Sequence, residues 1–257
     1  MVWLTGLIIG VLMGLTGAGG GILAVPALMF VLDLPVTRAS PLALVAVSAA
    51  AVIGAGMGLK RKETRYRAAL LMAGSGMPFT WPGVWVAAHV SRVLLVVIFS
   101  FCMLFVAYRF LAPEKNSSRR VLCEQSAETG RLIWRWYSVL AVALVGVLSG
   151  FATGLLGVGG GFIIVPALKR LTRLSMASIT ATSLCVISLT GGTGVLAAWQ
   201  NGVFVFDTTA GVFLTAVCAG LLAGRRGIQR LPGSIVSHIF GGVLVVVAFS
   251  MLISAII

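Results

Sequence analysis

The chain has 257 residues, of which 59% are hydrophobic and 10% charged, and its formal net charge is +13. Its mean hydropathy is +1.09, and a soluble domain of this size would carry more charge. The basic residues cluster in short loops between apolar stretches, as expected for a multi-pass membrane protein, so they indicate topology rather than a nucleic-acid partner.

The first half begins with two short apolar segments, residues 2–16 and, after glycines 17–21, a segment that ends near residue 32. Each has about 15 residues, or roughly 22 Å of helix, which is too short for an easy crossing of the bilayer. Three longer segments follow, and each is predicted to be a full membrane-spanning helix. They lie at about residues 41–59, 68–89 and 93–112.

The longest polar stretch, residues 113–135, joins this half to a second half with the same plan. Short segments are predicted at 136–155 and, after a second glycine cluster, at 162–168. We therefore divide the chain into a first transmembrane repeat (1–112), a cytoplasmic linker loop (113–135) and a second repeat (136–257). The full spans predicted in the second repeat lie at about residues 175–199, 208–224 and 233–256.

One sequence motif occurs in both halves. Residues 14–28 read GLTGAGGGILAVPAL and residues 154–168 read GLLGVGGGFIIVPAL, with 10 of 15 positions identical at an offset of 140. In a membrane protein, matched glycine clusters inside apolar sequence indicate two broken helices. Such a pair points to a transport site near the bilayer midplane.

The loop charges predict an orientation. Of the 19 basic residues, 17 lie in or beside four loops. If each pair of short segments returns to the side from which it came, or crosses twice, all four loops fall on the cytoplasmic side of the inner (plasma) membrane. The second repeat is then inverted relative to the first, whereas a single crossing would separate two of the loops. The four basic loops are 60–67, 113–135, 169–173 and 225–230.

The glycines also suggest a ligand. The amides of Gly19–Gly21 and of Gly159–Gly161 are expected at the N-termini of two half-helices, where free N–H groups and the positive end of the helix dipole bind anions. Two such termini facing each other would form a cage for a small anion, such as a tetrahedral oxyanion, a carboxylate or a sulfonate. The alternative is that these glycines only permit close helix packing.

Hydroxyl side chains can complete such a cage. Thr16 lies inside the first motif, although its counterpart is Leu156. Hydroxyls in helices also commonly bond to their own backbone, so their number alone does not define a site. The hydroxyl residues in the span after the second motif are Thr180, Thr182, Ser183, Ser188, Thr190 and Thr193, and those in the matching first-half span are Ser40 and Ser48.

Ionisable groups are scarce where coupling would need them. All six acidic residues lie in loops or at span ends, and His89 and His238 lie near span ends. We therefore expect uncoupled export, driven by about 2.3 kcal/mol per 100 mV for one negative charge. The four cysteines form no CxxC pair, and the spans hold no nucleophile–base or metal-ligand constellation, so no enzyme activity, metal or cofactor is expected.

With the two GxGGG…VPAL motifs and Ala181-Thr182-Ser183-Leu184 in the following span, the chain resembles the sulfite exporter TauE/SafE family. The resemblance implies a polytopic inner-membrane carrier for small sulfur-containing anions. The first half departs from the pattern, because it has Pro41-Leu42-Ala43-Leu44 where Ala-Thr-Ser-Leu is expected. If hydroxyls bind the substrate, this half offers fewer of them, and a substrate other than sulfite stays open. The substrate-binding residues that the resemblance implies are Gly17, Gly19, Gly20, Gly21, Gly157, Gly159, Gly160, Gly161, Thr182 and Ser183, and Thr16 joins them by its position inside the first motif.

The sequence therefore predicts an all-α integral membrane transporter of two inverted-topology repeats, each with a glycine-rich broken or re-entrant helix pair. Its expected partners are the lipid bilayer and a small anion, which we expect to be exported because the membrane potential favours that direction. Two alternatives stay open, a passive anion channel with the same site and a membrane-embedded accessory subunit without a substrate. The oligomeric state is open as well, and a homo-oligomer is compatible with the composition.

Overall fold

A computed structural model describes residues 1–17, 19–111, 135–172, 174–200, 208–227 and 233–256, and within these ranges the regular structure is entirely α-helical. Ten helices follow one another along the chain. They are α1 (Val2–Thr16), α2 (Gly19–Leu32), α3 (Val36–Lys60), α4 (Tyr66–His89), α5 (Arg92–Leu111), α6 (Trp136–Leu156), α7 (Gly161–Leu171), α8 (Met176–Gln200), α9 (Thr208–Gly227) and α10 (Gly233–Ile256).

Four of these helices, α3, α5, α6 and α8, are long and apolar enough to cross a membrane. The prediction of a helical membrane protein is therefore confirmed. The description of 136–155 as a short segment is wrong, because α6 has 21 residues and belongs to this group. The predicted span at α4 forms a helix of 24 residues but falls outside the group, because its prolines, glycines and hydroxyls lower its hydropathy. The predicted spans at α9 and α10 form helices of 20 and 24 residues.

Several helix boundaries differ from the predicted ones. Helix α3 begins at Val36, five residues before the predicted start, because Pro41 lies inside the helix rather than at its first turn. The first glycine break is also shorter than predicted, since α2 begins at Gly19 and leaves only residues 17 and 18 between the helices. The linker predicted at 113–135 lies, except for Arg135, outside the described residues.

Helices from the two halves of the sequence pack against each other at glycines. Helix α1 packs against α9, and α4 packs against α6. A Cβ added to Gly10 would meet the backbone of Val217 and Gly220, and one added to Gly150 would meet the backbone of Gly76. Backbone contact of this kind is how small residues hold membrane helices together. The spacing recurs at the offset of 140: the glycines on α1 are Gly6, Gly10 and Gly14, and those on α6 are Gly146, Gly150 and Gly154.

The centre of the molecule is formed by α3 and α8, which pack on each other, while α5 pairs with α10 at the side. The short helices α2 and α7 lie against α3 and α8, respectively, and also touch each other. Val47 of α3 and Ile187 of α8 are both fully buried at the middle of their helices. The two glycine motifs are thus placed at the core, beside the midpoints of the two central helices.

A buried ion pair links α9 to the loop between α3 and α4. Arg225, in the last turn of α9, is 2% exposed, and its Nη1 donates a 2.6 Å hydrogen bond to the carbonyl oxygen of Gly54 on α3. Its Nη2 donates to a carboxylate oxygen of Glu63 at 3.1 Å. The guanidinium therefore joins the ends of two predicted basic loops, 60–67 and 225–230.

Candidate anion site at the two glycine breaks

The first break follows α1 directly. Gly17 adopts φ +83°, a left-handed conformation that glycine takes without steric cost, and its N–H donates to the carbonyl oxygen of Met13 at 2.9 Å. The break lies against α8, because a Cβ on Gly17 would come within 2.5 Å of Thr180 Oγ1. The chain therefore turns beside Thr180 and re-enters a helix at Gly19.

The second break repeats this geometry. Gly157 adopts φ +69°, and its N–H donates to the carbonyl oxygen of Thr153 at 3.0 Å. It lies against α3, since a Cβ there would come within 2.7 Å of the Cβ of Ser40. The two contacts are equivalent in sequence: Gly17 and Gly157 are 140 residues apart, and so are Ser40 and Thr180.

The two breaks converge on the centre of α3 and α8. A Cβ on Gly21 would lie 2.8 Å from the carbonyl oxygen of Val158 and 3.2 Å from Val47 Cγ1. Gly159 has φ +80°, and a Cβ added there would lie 2.7 Å from Ile187 and 3.2 Å from Val47. The start of α2 and the loop before α7 thus share one buried region, as the facing half-helices of the predicted cage require.

Other glycines of the motifs lie against the preceding helix instead. A Cβ on Gly20 would meet the backbone of Met13 and the carbonyl oxygen of Ile9 on α1. One on Gly160, which caps α7 at φ +63°, would meet Ser149 and Thr153 of α6. Gly20 and Gly160 therefore serve the close packing that the sequence left as an alternative. Gly19 and Gly161 are the first residues of α2 and α7.

The predicted hydroxyls differ in what they bind. Thr16 is 2% exposed, and its Oγ1 donates to the carbonyl oxygen of Leu12 at 2.7 Å. Thr182 Oγ1 donates to the carbonyl oxygen of Ser178 at 2.7 Å and accepts the backbone N–H of Arg65 at 3.0 Å. Arg65 is the residue before α4, so Thr182 fixes the start of that helix.

Ser183 behaves differently, since its Oγ is buried and has no hydrogen-bond partner within the described part of the chain. Among the residues that sequence reasoning did not assign to the site are Val47, Val158 and Ile187. Apolar side chains carry no chemical signal, and only the register supports them, because Val47 and Ile187 are seven residues after Ser40 and Thr180. The searched residues contain no group of three or more histidines, cysteines or acidic side chains placed to hold a metal ion.

Thr182→Val is expected to lower the free energy of unfolding by about 1 kcal/mol, because the Arg65 N–H loses its acceptor next to α4. Thermal unfolding in detergent measures the effect. Thr190→Val is the matched control, since Thr190 is equally buried and bonds only to its own helix at Val186. Equal stability of the two variants would contradict a structural role for the Thr182–Arg65 hydrogen bond.

In the described part of the chain, ten packed helices, four of them long and apolar enough to span a bilayer, define a multi-pass helical membrane protein. The sequence model of one family, described as Sulfite exporter TauE/SafE, matches residues 2–251. The chain belongs to this family. It is accordingly a membrane transporter and not an enzyme.

Curated relatives carry names of the same kind. A "Probable membrane transporter protein" of Xylella fastidiosa (strain Temecula1) is 27% identical over 249 residues, which cover 95% of this chain and 91% of the relative. "Probable membrane transporter protein YunE" of Bacillus subtilis (strain 168) is 27% identical over 216 residues, 77% of each chain. A "Probable membrane transporter protein" of Haemophilus influenzae is 24% identical over 272 residues, 96% of each chain. No solved structure matches the chain.

Proposed function

We propose that this transporter exports a small anion, a sulfur-containing oxyanion or an organosulfonate such as sulfite, and that the anion binds between the two glycine breaks. The observation that carries the proposal is the convergence of Gly21 and Gly159 on Val47 at the centre of the helices. Backbone N–H groups at the starts of α2 and α7 are the donors available there, and helix N-termini favour negative charge. The family description supports the choice of a sulfur oxyanion.

The proposal includes an inverted repeat. It is supported by contacts that match when α1–α5 are compared with α6–α10: α1 packs on α9 as α6 packs on α4, while α3 and α8 pack on each other. The contacts of Gly17 with Thr180 and of Gly157 with Ser40 match in the same way. A repeat of this type with broken helices is typical of secondary transporters.

The topology proposed from the loop charges has support from two contacts between loops. Arg225 pairs with Glu63, which places loops 60–67 and 225–230 together. The N–H of Arg65 binds Thr182 in the second turn of α8, so the loop that precedes α8 is on that side too. A single crossing by each pair of short helices would separate these loops. We assign this shared side to the cytoplasm of a bacterial-type inner membrane.

A carrier fits the site better than a passive channel. The two breaks are closely packed in this conformation, since a Cβ on Gly21 would lie 2.8 Å from the carbonyl oxygen of Val158 in the second break. An anion can enter between them only when these contacts separate, so binding is coupled to a conformational change. The accessory subunit without a substrate is the remaining alternative, and the packing contacts of Gly20 and Gly160 support it. A flux measurement decides between a carrier and an accessory subunit.

The test is efflux from proteoliposomes that hold the purified protein under an imposed membrane potential. The anions are sulfite, methanesulfonate, sulfoacetate, thiosulfate, sulfate, acetate and chloride. We expect potential-driven efflux of a sulfur-containing anion without a proton or sodium gradient. Gly21→Ala should lower this efflux about tenfold, or ~1.4 kcal/mol, because a methyl group there intrudes between Val158 and Val47.

Gly74→Ala is the control, since a Cβ at Gly74 meets nothing within 4 Å. Efflux that is abolished equally by both substitutions would indicate general damage rather than a site at the break. Absence of flux for every anion would favour the accessory-subunit alternative. A strict requirement for a proton or sodium gradient would contradict the proposal that export is uncoupled.

A further inference from the structure

We propose that Thr180 and Ser183 of α8 supply the side-chain hydrogen bonds to the transported anion, and that the site they complete takes a singly charged oxyanion. This inference rests on the proposed function, because it concerns the same site. It separates these two hydroxyls from Thr182, which the sequence placed in one group with Ser183.

The hydrogen bonds of the buried hydroxyls provide the first step. Hydroxyls in helices normally donate to a carbonyl oxygen three or four residues earlier, and most buried ones here do. Thr180 and Ser183 are 0% exposed, yet neither Oγ has a partner within the described ranges. An unpartnered buried hydroxyl is costly, so it is expected where a ligand supplies the partner. The residues that follow the usual pattern include Thr16, Thr80, Ser100, Thr153, Thr182 and Thr190.

The position of these hydroxyls provides the second step. Residues three and four apart share one face of a helix, so Thr180, Ser183 and Ile187 form one face of α8. Thr180 lies against Gly17 in the first break, and Ile187 lies against Gly159 in the second. Ser183 is therefore between the two breaks. Within the described ranges two further buried hydroxyls lack a partner: Ser48 of α3, which packs against Gly191 one turn of α8 beyond Ile187, and Thr64 in the loop between α3 and α4.

The two positions of α3 that are equivalent to Thr180 and Ser183 offer no such donors. Ser40, the counterpart of Thr180, already donates to the carbonyl oxygen of Leu156 at 3.1 Å. Ala43, the counterpart of Ser183, has no hydroxyl. The side-chain donors are thus asymmetric, and α8 carries them for both halves of the cage.

The charge balance of the core sets the ligand class. Among the described residues, Arg225 is the one cation in the buried set, and Glu63 already neutralises it. The donors that face the breaks, hydroxyls and backbone N–H groups, are uncharged. The cost of taking an ion out of water rises with the square of its charge, so a dianion pays about four times that of a monoanion. Neutral donors therefore favour a monoanion such as a sulfonate or hydrogen sulfite.

The test compares Ser183→Ala and Thr180→Val with Thr190→Val, a buried hydroxyl that bonds only within its own helix. Methanesulfonate and sulfate are the monoanionic and dianionic probes. Two readouts are taken on the purified full-length protein: the concentration for half-maximal efflux from proteoliposomes, and the rise in melting temperature in detergent when the probe is added. Each melting temperature without probe is measured to verify folding.

We expect wild type and Thr190→Val to be stabilised by methanesulfonate and not by sulfate. In Ser183→Ala and Thr180→Val the half-saturating concentration should rise about tenfold, and the stabilisation should shrink accordingly. Unchanged affinity in both folded variants, or stabilisation by sulfate equal to that by methanesulfonate, would overturn the inference. Methanesulfonate binding without flux would support this site while rejecting the proposed export.

Discussion

Gly150→Leu is expected to separate α6 from α4 and to destabilise the protein more than any other single substitution discussed above. A Cβ at this position would overlap sterically with the carbonyl group and the Cα of Gly76. Backbone atoms cannot move aside as a flexible side chain can. Overpacking of a tight core costs about 1–3 kcal/mol and more when backbones must separate, so we expect at least ~3 kcal/mol. For a chain of this size, that corresponds to a melting temperature lower by about 10 °C.

The measurement is thermal unfolding of the purified protein in a mild detergent, followed by size-exclusion chromatography of heated samples. Gly74→Leu is the matched control on α4, because its Cβ meets nothing within 4 Å. Its stability should differ from wild type by less than about 0.5 kcal/mol. Comparable losses in both variants would show that leucine is tolerated poorly anywhere on these helices and that the α4–α6 contact has no special role.

Glu63→Gln is expected to produce the second largest loss, because it leaves the positive charge of Arg225 buried without a counter-charge. Breaking a fully buried pair costs about 3–5 kcal/mol. The Glu63 side chain is 23% exposed, so water screens part of the effect and we expect about 2 kcal/mol. The free energy of unfolding, measured by thermal or denaturant unfolding in detergent, reports this change.

A double variant sharpens the test. In Glu63→Gln with Arg225→Met the buried charge is gone, and a long apolar side chain fills its volume, so stability should recover part of the loss seen in Glu63→Gln alone. Lys62→Gln, an exposed change in the same loop, should be neutral. A double variant less stable than Glu63→Gln would contradict this, because it would mean that the Arg225–Gly54 hydrogen bond stabilises the fold more than the unpaired buried charge destabilises it.

Much of the helical architecture could be predicted, because the hydrocarbon core requires long apolar helices and the glycine clusters interrupt two of them. The ends of α2 and α10 were predicted at the observed residues, and the αL caps at Gly17 and Gly157 fall inside the predicted breaks. The bounds of α6 were predicted to within one residue, but its description as a short segment was wrong. The matching helix α1 has 15 residues, whereas α6 has 21, so the sequence repeat does not extend to equal helix lengths.

The site was predicted only in part, for a physical reason. Glycine clusters identify where the backbone breaks, but not which glycines face the ligand and which face a neighbouring helix, as Gly21 and Gly20 do. Hydroxyl residues one or two positions apart on α8 point in different directions, so Thr182 binds Arg65 while Ser183 has no partner in the described ranges. Only the register of α8 against the breaks distinguishes them. The substrate-binding role of these glycines and hydroxyls stays a prediction, which the flux measurements test.

The exchange of partners between the first five helices and the last five has a consequence for biosynthesis. Gly10 on α1 packs against Val217 and Gly220 on α9. Helix α1 therefore lacks this packing partner until about 200 further residues have been synthesised and inserted. During that interval its glycine stripe faces lipid or a chaperone. Any chain interrupted before α9 therefore keeps this stripe without its packing partner in the bilayer.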